Sequence, residues 1–421
     1  MTSQSAPWNP MNFDPNGVRE TYAKMFLTLW NVHKFHLDYA ILDKFDYGKD
    51  FISVEKRTAL DRWILSRLSS VAEIYHNQYV SWEFHKAARE LENFVINDLS
   101  NWYVRRSRRR LWDEAESHDK LACQSTLHEV LTTVSKLMAP IAPFMPDKIH
   151  FDLTGSSVHT ADWPLGSDLV PKNLPPQDLS LEKKMSIVRT LAETGRKIRV
   201  AVKRRQRLPC KEGWIVGGPK LDEFHSIIAE ELNVETLTTE KNLDRFQKIE
   251  VLPNHKVLGA KCRADLPKVL AELSKSDPDS LLSDIENGVA NLAGFEITLD
   301  DINIKRVEKE GYAASTFEVE DVGDISLVLD VEITETLVSK GLAREITRRI
   351  QSKRKDLDLD LEASISLKVC LESDSPKLND EDWEYIKSET RSEPAELIIG
   401  DISKGFDSFQ VEENTIYFKV N

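Results

Sequence analysis

The 421-residue sequence predicts a multidomain protein: an all-α helical bundle followed by two or three small α/β or α+β modules. Three observations carry this prediction. Apolar residues recur at helical spacing through the first third of the chain, while the later part alternates short extended apolar runs with helical ones. The order helix with a basic end, strand, helix, strand, strand then occurs twice, about 150 residues apart. The length also exceeds what one hydrophobic core organises. These features divide the chain into a bundle (1–155), a linker (156–180), an α/β module with a basic helix (181–258), an α+β connecting module (259–334) and an α/β module with an acidic tail (335–421). The two α/β modules read as a diverged duplication.

Taken in order, residues 1–6 look like a short tag outside the fold. Residues 18–40 place Tyr22, Met25, Phe26, Leu29, Val32 and Leu37 on one helical face. Residues 44–55, with Gly48 and several aspartates, suit a loop. A second helix over 58–79 turns Leu60, Trp63, Ile64, Leu68, Val71 and Ile74 inward. A third runs from Glu83 into an arginine stretch, and a fourth covers 120–138 before Pro140, Pro143 and Pro146 bend the chain. Pro164, Gly166, Pro171, Pro175 and Pro176 mark the linker. A helix over 181–207 ends in Arg196, Lys197, Arg199, Lys203, Arg204, Arg205 and Arg207, and strands follow at 214–216, 234–238 and 248–252. Helices at 266–273 and 281–292, with strands at 296–298 and 325–331, fill the connecting module. A basic helix from Glu335 then precedes strands at 365–371, 397–399 and 415–420.

The formal charge of -14 excludes a generally basic nucleic-acid coat, but it is unevenly spread. Residues 1–150 hold 19 Lys+Arg against 19 Asp+Glu, whereas 356–421 hold 6 against 17. Any RNA contact is therefore a local patch on the first two-thirds. Cys123, Cys210, Cys262 and Cys370 lie too far apart for a zinc site, and histidines 33, 36, 76, 85 and 118 show no ligand spacing. With no membrane-length apolar run, a reducing, cytoplasmic setting without membrane or DNA partners is expected.

Residues 101–112 (NWYVRRSRRRLW) are the most informative. Arg105, Arg106, Arg108, Arg109 and Arg110 stand between Trp102 with Tyr103 and Trp112. Guanidinium forks grip phosphate two bonds at a time and aromatic faces stack on exposed bases, so arginine without lysine between aromatics points to RNA. The competing reading is a solvated helix end paired with Asp113, Glu114 and Glu116. Regular helical spacing groups Trp102, Arg105, Arg109 and Trp112 on one face and sends Arg108 toward Val104 and Leu111. Asn101 is positioned to read a base edge. Arg199, Lys203, Arg204, Arg205 and Arg207 extend the cationic track.

The arginine stretch closely resembles the anticodon-binding bundle of class Ia aminoacyl-tRNA synthetases. PWNPMNFD (7–14), TLWN (28–31), DRWILSRL (61–68), DLSNWYVRRSRRRLW (98–112), APIAPFMPD (139–147) and VHTADWP (158–164) match in the same order. Within that group the isoleucyl enzymes of eukaryotic, cytoplasmic type are most similar, through RRQRLP (204–209), ELNVE (231–235), HKVLGAKC (255–262) and GLAREITRRIQSKRK (341–355). The resemblance implies a C-terminal portion that binds isoleucine tRNA beside catalytic and editing domains of the same polypeptide, which use ATP and magnesium. The His-x-Gly-His and Lys-Met-Ser-Lys-Ser motifs of those catalytic domains are absent; Lys184-Met185-Ser186 continues as Ile187-Val188 inside a helical pattern. The chain alone is expected to bind tRNA without charging it. The alternatives are a protein-interaction scaffold and the corresponding part of a valyl enzyme.

Overall fold

The computed structural model describes residues 8–9, 14–112, 117–165, 174–288, 290–360, 363–372, 375–400, 405–411 and 414–420. Residues 1–6, Pro7, the acidic residues Asp113, Glu114 and Glu116, and the linker positions Gly166 and Pro171 lie outside the described residues. The chain forms two compact units, 1–187 and 188–421.

The first unit is helical. α1 (Pro15–Thr21) starts on the Asp14 carboxylate, which accepts the Asn16 and Gly17 amides, and passes through a π turn at Tyr22–Phe26 into α2 (Leu27–Leu42). α3 (Tyr47–Asp50) is one helical turn within the expected loop. α4 (Ala59–Val80) opens with a reciprocal capping box between Thr58 and Asp61, which satisfies two backbone amides at the helix start. α5 (Phe84–Asn93) leads into a π-helix at Phe94–Val104 and then α6 (Arg105–Trp112). α7 (His118–Met138) and α8 (Phe144–Thr154) flank the proline bend. α4 packs against α5, α7 and the π-helix, burying Ile64, Leu65, Leu68, Phe94, Leu99, Leu127 and Leu131 completely. Tyr22 and Ile74, expected to face inward, are exposed; Tyr22 lies in the π turn, which shifts the helical phase. α9 (Leu179–Ala201) begins in this unit, where Glu182 accepts hydrogen bonds from the Ser66 and Ser70 hydroxyls at 2.6 and 2.7 Å.

The second unit continues α9 into β1 (Cys210–Val216), α10 (His225–Leu232) and β2 (Val234–Glu240). β3 (Gln247–Pro253), α11 (His255–Cys262), α12 (Leu266–Leu273), α13 (Pro278–Glu286), β4 (Asn291–Leu292), β5 (Phe295–Glu296) and β6 (Ile302–Glu308) come next. β7 (Tyr312–Val319), β8 (Gly323–Asp330), α14 (Glu335–Asp356), β9 (Ile365–Leu371), α15 (Asp380–Thr390), β10 (Ser392–Ile399), β11 (Asp407–Val411) and β12 (Asn414–Val420) complete it. Two four-stranded sheets run in the orders β2-β1-β8-β7 and β10-β9-β12-β11. In each, the first two strands are parallel and the remaining pairings antiparallel.

Several expectations are corrected here. β7 and β8, assigned from sequence to a separate 259–334 module, complete the sheet built on β1, because strand pairing is set by register over more than 100 residues and not by chain proximity. What lies between β2 and β7 keeps a small core of its own around Leu258, Val269, Leu281 and Ile302. The helix expected over 281–292 ends at Glu286, before Gly288 at φ +69°, and residues 291–292 are extended. The helix expected to reach 207 stops at Ala201, and Lys203 adopts φ +55°, which no helix interior accommodates.

Candidate nucleic-acid interface

α6 takes its orientation from the π-helix that feeds it. A π-helix bonds residue i to i+5 and so presents a wider turn than an α-helix. Three successive residues are buried at its end, Trp102 and Val104 at 5% exposure and Tyr103 at 0%. The Tyr103 hydroxyl donates to Asp61 Oδ1 at 2.6 Å, and two Arg110 N–H groups donate to Asp61 Oδ1 and Oδ2 at 2.8 and 2.7 Å. Arg110 Nε also donates to Asp119 Oδ2 at 2.8 Å. Asp61, in the first turn of α4, is thus both capping residue and anchor for the arginine helix.

The electrostatics follow from that geometry. Burial works to raise the Asp61 pKa, but the Arg110 hydrogen bonds and charge, helped by Tyr103 and Thr58, hold it below the usual carboxylate range. Burial, and then the Asp61 charge, push the Tyr103 phenol well up, so it remains a donor. Burial also lifts the neighbouring Cys123 thiol to about 11, which makes it a structural thiol.

The buried face of α6 centres on Ser107, flanked by Tyr103 and Arg110 on one side and Val104 and Leu111 on the other. The opposite face carries Arg105, Arg108 and Arg109, all exposed, with Arg106 and Trp112 half-buried and Asn101 exposed at the junction. Arg105 Nε donates to the Asn101 carbonyl at 3.0 Å. The Arg105 and Arg106 guanidiniums lie over the Trp102 ring at 5.7 and 5.8 Å.

Four expectations change. Trp102 is no stacking platform: it is buried, and its indole N–H donates to Met185 Sδ at 3.2 Å. Tyr103 is fully buried and committed to Asp61. Arg110 has carboxylate partners inside the protein and serves the fold. Arg108, expected to turn toward Val104 and Leu111, stands on the cationic face, because the buried arc is centred one residue before it. Trp112 remains as the candidate stacking aromatic.

The second basic run divides in the same manner. Arg199 is 1% exposed and donates to the carbonyls of Arg205, Leu208, Leu232 and Asn233 at 2.7–3.2 Å. Burial lowers its pKa, yet four carbonyl dipoles, two at the C-terminus of α10, hold the cation. Gly195, one turn earlier, lies against the Leu232 side chain where a Cβ would collide. Arg204 is also buried and donates to the Pro209 and Glu332 carbonyls. Arg199 and Arg204 are therefore corrected from RNA-facing to fold-holding groups. Lys203, Arg205 and Arg207 are exposed, and Arg207 is paired with Glu345. The third basic helix repeats the device: Arg354, 6% exposed, donates to the Thr390 carbonyl at the end of α15. Asn233 and Arg391, at φ +51° and +50°, cap α10 and α15 in the left-handed conformation.

Among the described residues no group of three or more His, Cys, Asp or Glu side chains is arranged to hold a metal ion. No helix among them is long and apolar enough to cross a membrane.

Residues 61–213 match the family model for the anticodon-binding domain of tRNA ligase. That span runs from Asp61 through α6 and the α9 basic run into β1, so the match includes the stretch bearing the arginine face. Beyond it the similarity reaches over most of the chain. The isoleucine–tRNA ligase of Clostridium acetobutylicum is 34% identical over 380 residues, 87% of this chain and 35% of that protein. Those of Bacillus thuringiensis (34% over 375 residues, 86% and 35%) and Clostridium tetani (34% over 407 residues, 92% and 38%) are similar to the same degree. The chain thus spans little more than a third of the length of these curated relatives, which are bacterial.

Proposed function

We propose that this chain is the tRNA-reading portion of an isoleucine–tRNA ligase, with α6 as the clamp on the anticodon loop. The observation that carries the reading is the exposed face of Arg105, Arg108 and Arg109, held in place from behind by the Arg110–Asp61–Tyr103 lock. The anticodon loop is single-stranded, so its phosphates meet the guanidiniums while an outward-turned base stacks on Trp112 and a base edge meets Asn101. One stacked base contributes about 1–3 kcal/mol. In this reading the isoleucine-activating and editing domains belong to the remainder of the polypeptide, act in the cytoplasm, and use ATP and magnesium. The stretches quoted above favour the eukaryotic type.

Two sheets of identical strand order, each with a buried arginine closing the end of its second helix, support descent of the two α/β modules from one duplicated unit. The equivalent hydrogen bonds that start β1 and β9, from the amides of Cys210 and Ile365 to the carbonyls of Asn233 and Arg391, support the same conclusion.

The test is a filter-binding comparison of isoleucine and valine tRNA transcripts, each with its own and the exchanged anticodon. The reading requires tighter binding to whichever transcript carries the isoleucine anticodon; equal binding to all four refutes anticodon recognition.

A further inference from the structure

Within the second unit, the segment leading into β1 and one face of α14 enclose a cleft of about 570 Å³, in the range of small-ligand sites. Gly341 on α14 lets the chain at Leu208 approach closely, since a Cβ there would lie 3.3 Å from Leu208 Cα. Leu208, Val338, Leu342 and Val411 form an apolar floor. The rim is cationic and contains arginine without lysine: Arg205, Arg207, Arg348 and Arg349.

Among the described residues the rim holds a single carboxylate, Glu345, whose side chain is 12% exposed. It gathers Arg207, Arg349 at 3.1 Å and Arg348 at 3.6 Å. One carboxylate shared by three guanidiniums directs several fork donors at a single anionic position. Glu345 stands where a phosphate would stand. The requirement is met by a ligand with a flat apolar body and an attached phosphate. An acidic peptide satisfies the rim but leaves the floor without a partner.

The geometry points to a second RNA contact: the cleft takes one unstacked nucleotide of single-stranded RNA. Its base lies on Leu208, Val338 and Leu342, and its phosphate competes with Glu345 for Arg348 and Arg349. This inference rests on the tRNA-binding reading, but it moves the contact from the α9 run alone to a site assembled from both α/β modules.

Anisotropy titrations of a labelled isoleucine tRNA transcript against the full chain test it, using R348Q/R349Q, E345Q and R105Q/R109Q, with far-UV circular dichroism establishing that each variant is folded. R348Q/R349Q is expected to weaken binding by about 10-fold and to flatten the salt dependence, because two fewer counterions are displaced. E345Q, which removes the competing carboxylate, is expected to tighten binding about 3-fold by the same logic. Unchanged affinity in folded R348Q/R349Q overturns the proposal, as does a folded E345Q that binds as weakly as R348Q/R349Q, since Glu345 then organises the site without competing for it. If R105Q/R109Q weakens binding and R348Q/R349Q does not, the anticodon clamp stands and the cleft falls; the reverse pattern leaves the cleft and removes the clamp. Displacement of the transcript from R105Q/R109Q by polyglutamate as effectively as by tetrauridylate would assign the cleft to acidic peptides and overturn it as an RNA site.

Discussion

The two units bury arginine in opposite ways. In the helical unit Arg110 meets charge with charge, through Asp61 and Asp119. In the α/β unit Arg199, Arg204 and Arg354 are held by backbone carbonyls, several at helix ends. The first arrangement places a carboxylate at risk when the arginine is lost, whereas the second only strands neutral acceptors. A run of arginines in sequence is thus not one surface. Part of each run holds the scaffold and the remainder faces solvent.

Substitutions that separate the two arrangements come first. Arg110→Met leaves Asp61 charged and buried without its partner, and is expected to cost about 3–5 kcal/mol, read as a shift in urea midpoint. Arg110→Met combined with Asp61→Leu should recover part of that loss, and a double variant as unstable as the single would break the comparison.

Acid is expected to act on the helical unit next. Burial, with the nearby His128, lowers His36 to about 3, and burial lowers His128, stacked on Tyr47 at 4.0 Å, to about 4. Both are neutral in the fold and charge more readily when unfolded, near 6.5. Stability is therefore full above pH 6.5 and declines as pH falls toward 4, at about 1.4 kcal/mol per unit of depression. Denaturation midpoints across that window should flatten in His36→Phe; an unchanged slope would exclude this histidine as the cause.

Arg199→Met, stranding four carbonyls, is expected to cost about 2–3 kcal/mol, and Arg354→Met, with fewer acceptors, about half of that. Hydrogen exchange at the ends of α10 and α15 would locate each effect, and equal losses would argue that acceptor number does not set the cost. Smallest in stability is R105Q/R109Q, within about 0.5 kcal/mol of the parent, although tRNA affinity should fall by about 10-fold with a shallower salt dependence.

Much of the helical unit was legible in sequence, because α2, α4 and α7 are long. The arginine locks left a trace that composition obscured. Arg199 follows Val188, Ala192 and Gly195 on the inner arc of α9, and Arg354 follows Ala343, Ile346 and Ile350 in the same way on α14. Reading phase before charge would have marked both as inward. The Asp61 contact was not legible, since 49 residues separate it from Arg110. Nor was the pairing of β1 with β8, which spans an inserted module, or the π-helix, a change in backbone bonding with no residue signature of its own.

That π-helix gives the chain an unusual sensitivity to counting. Each residue of an α-helix turns the chain by about 100°, so removing one residue between Phe94 and Val104 would relax the wide turns and rotate α6 as a screw advances in its thread. Arg110 would then leave Asp61, and the face bearing Arg105, Arg108 and Arg109 would swing toward the core, with no arginine altered. The cationic face depends on the number of residues before it as much as on their charge, and single-residue insertions and deletions there should be tolerated far less well than substitutions.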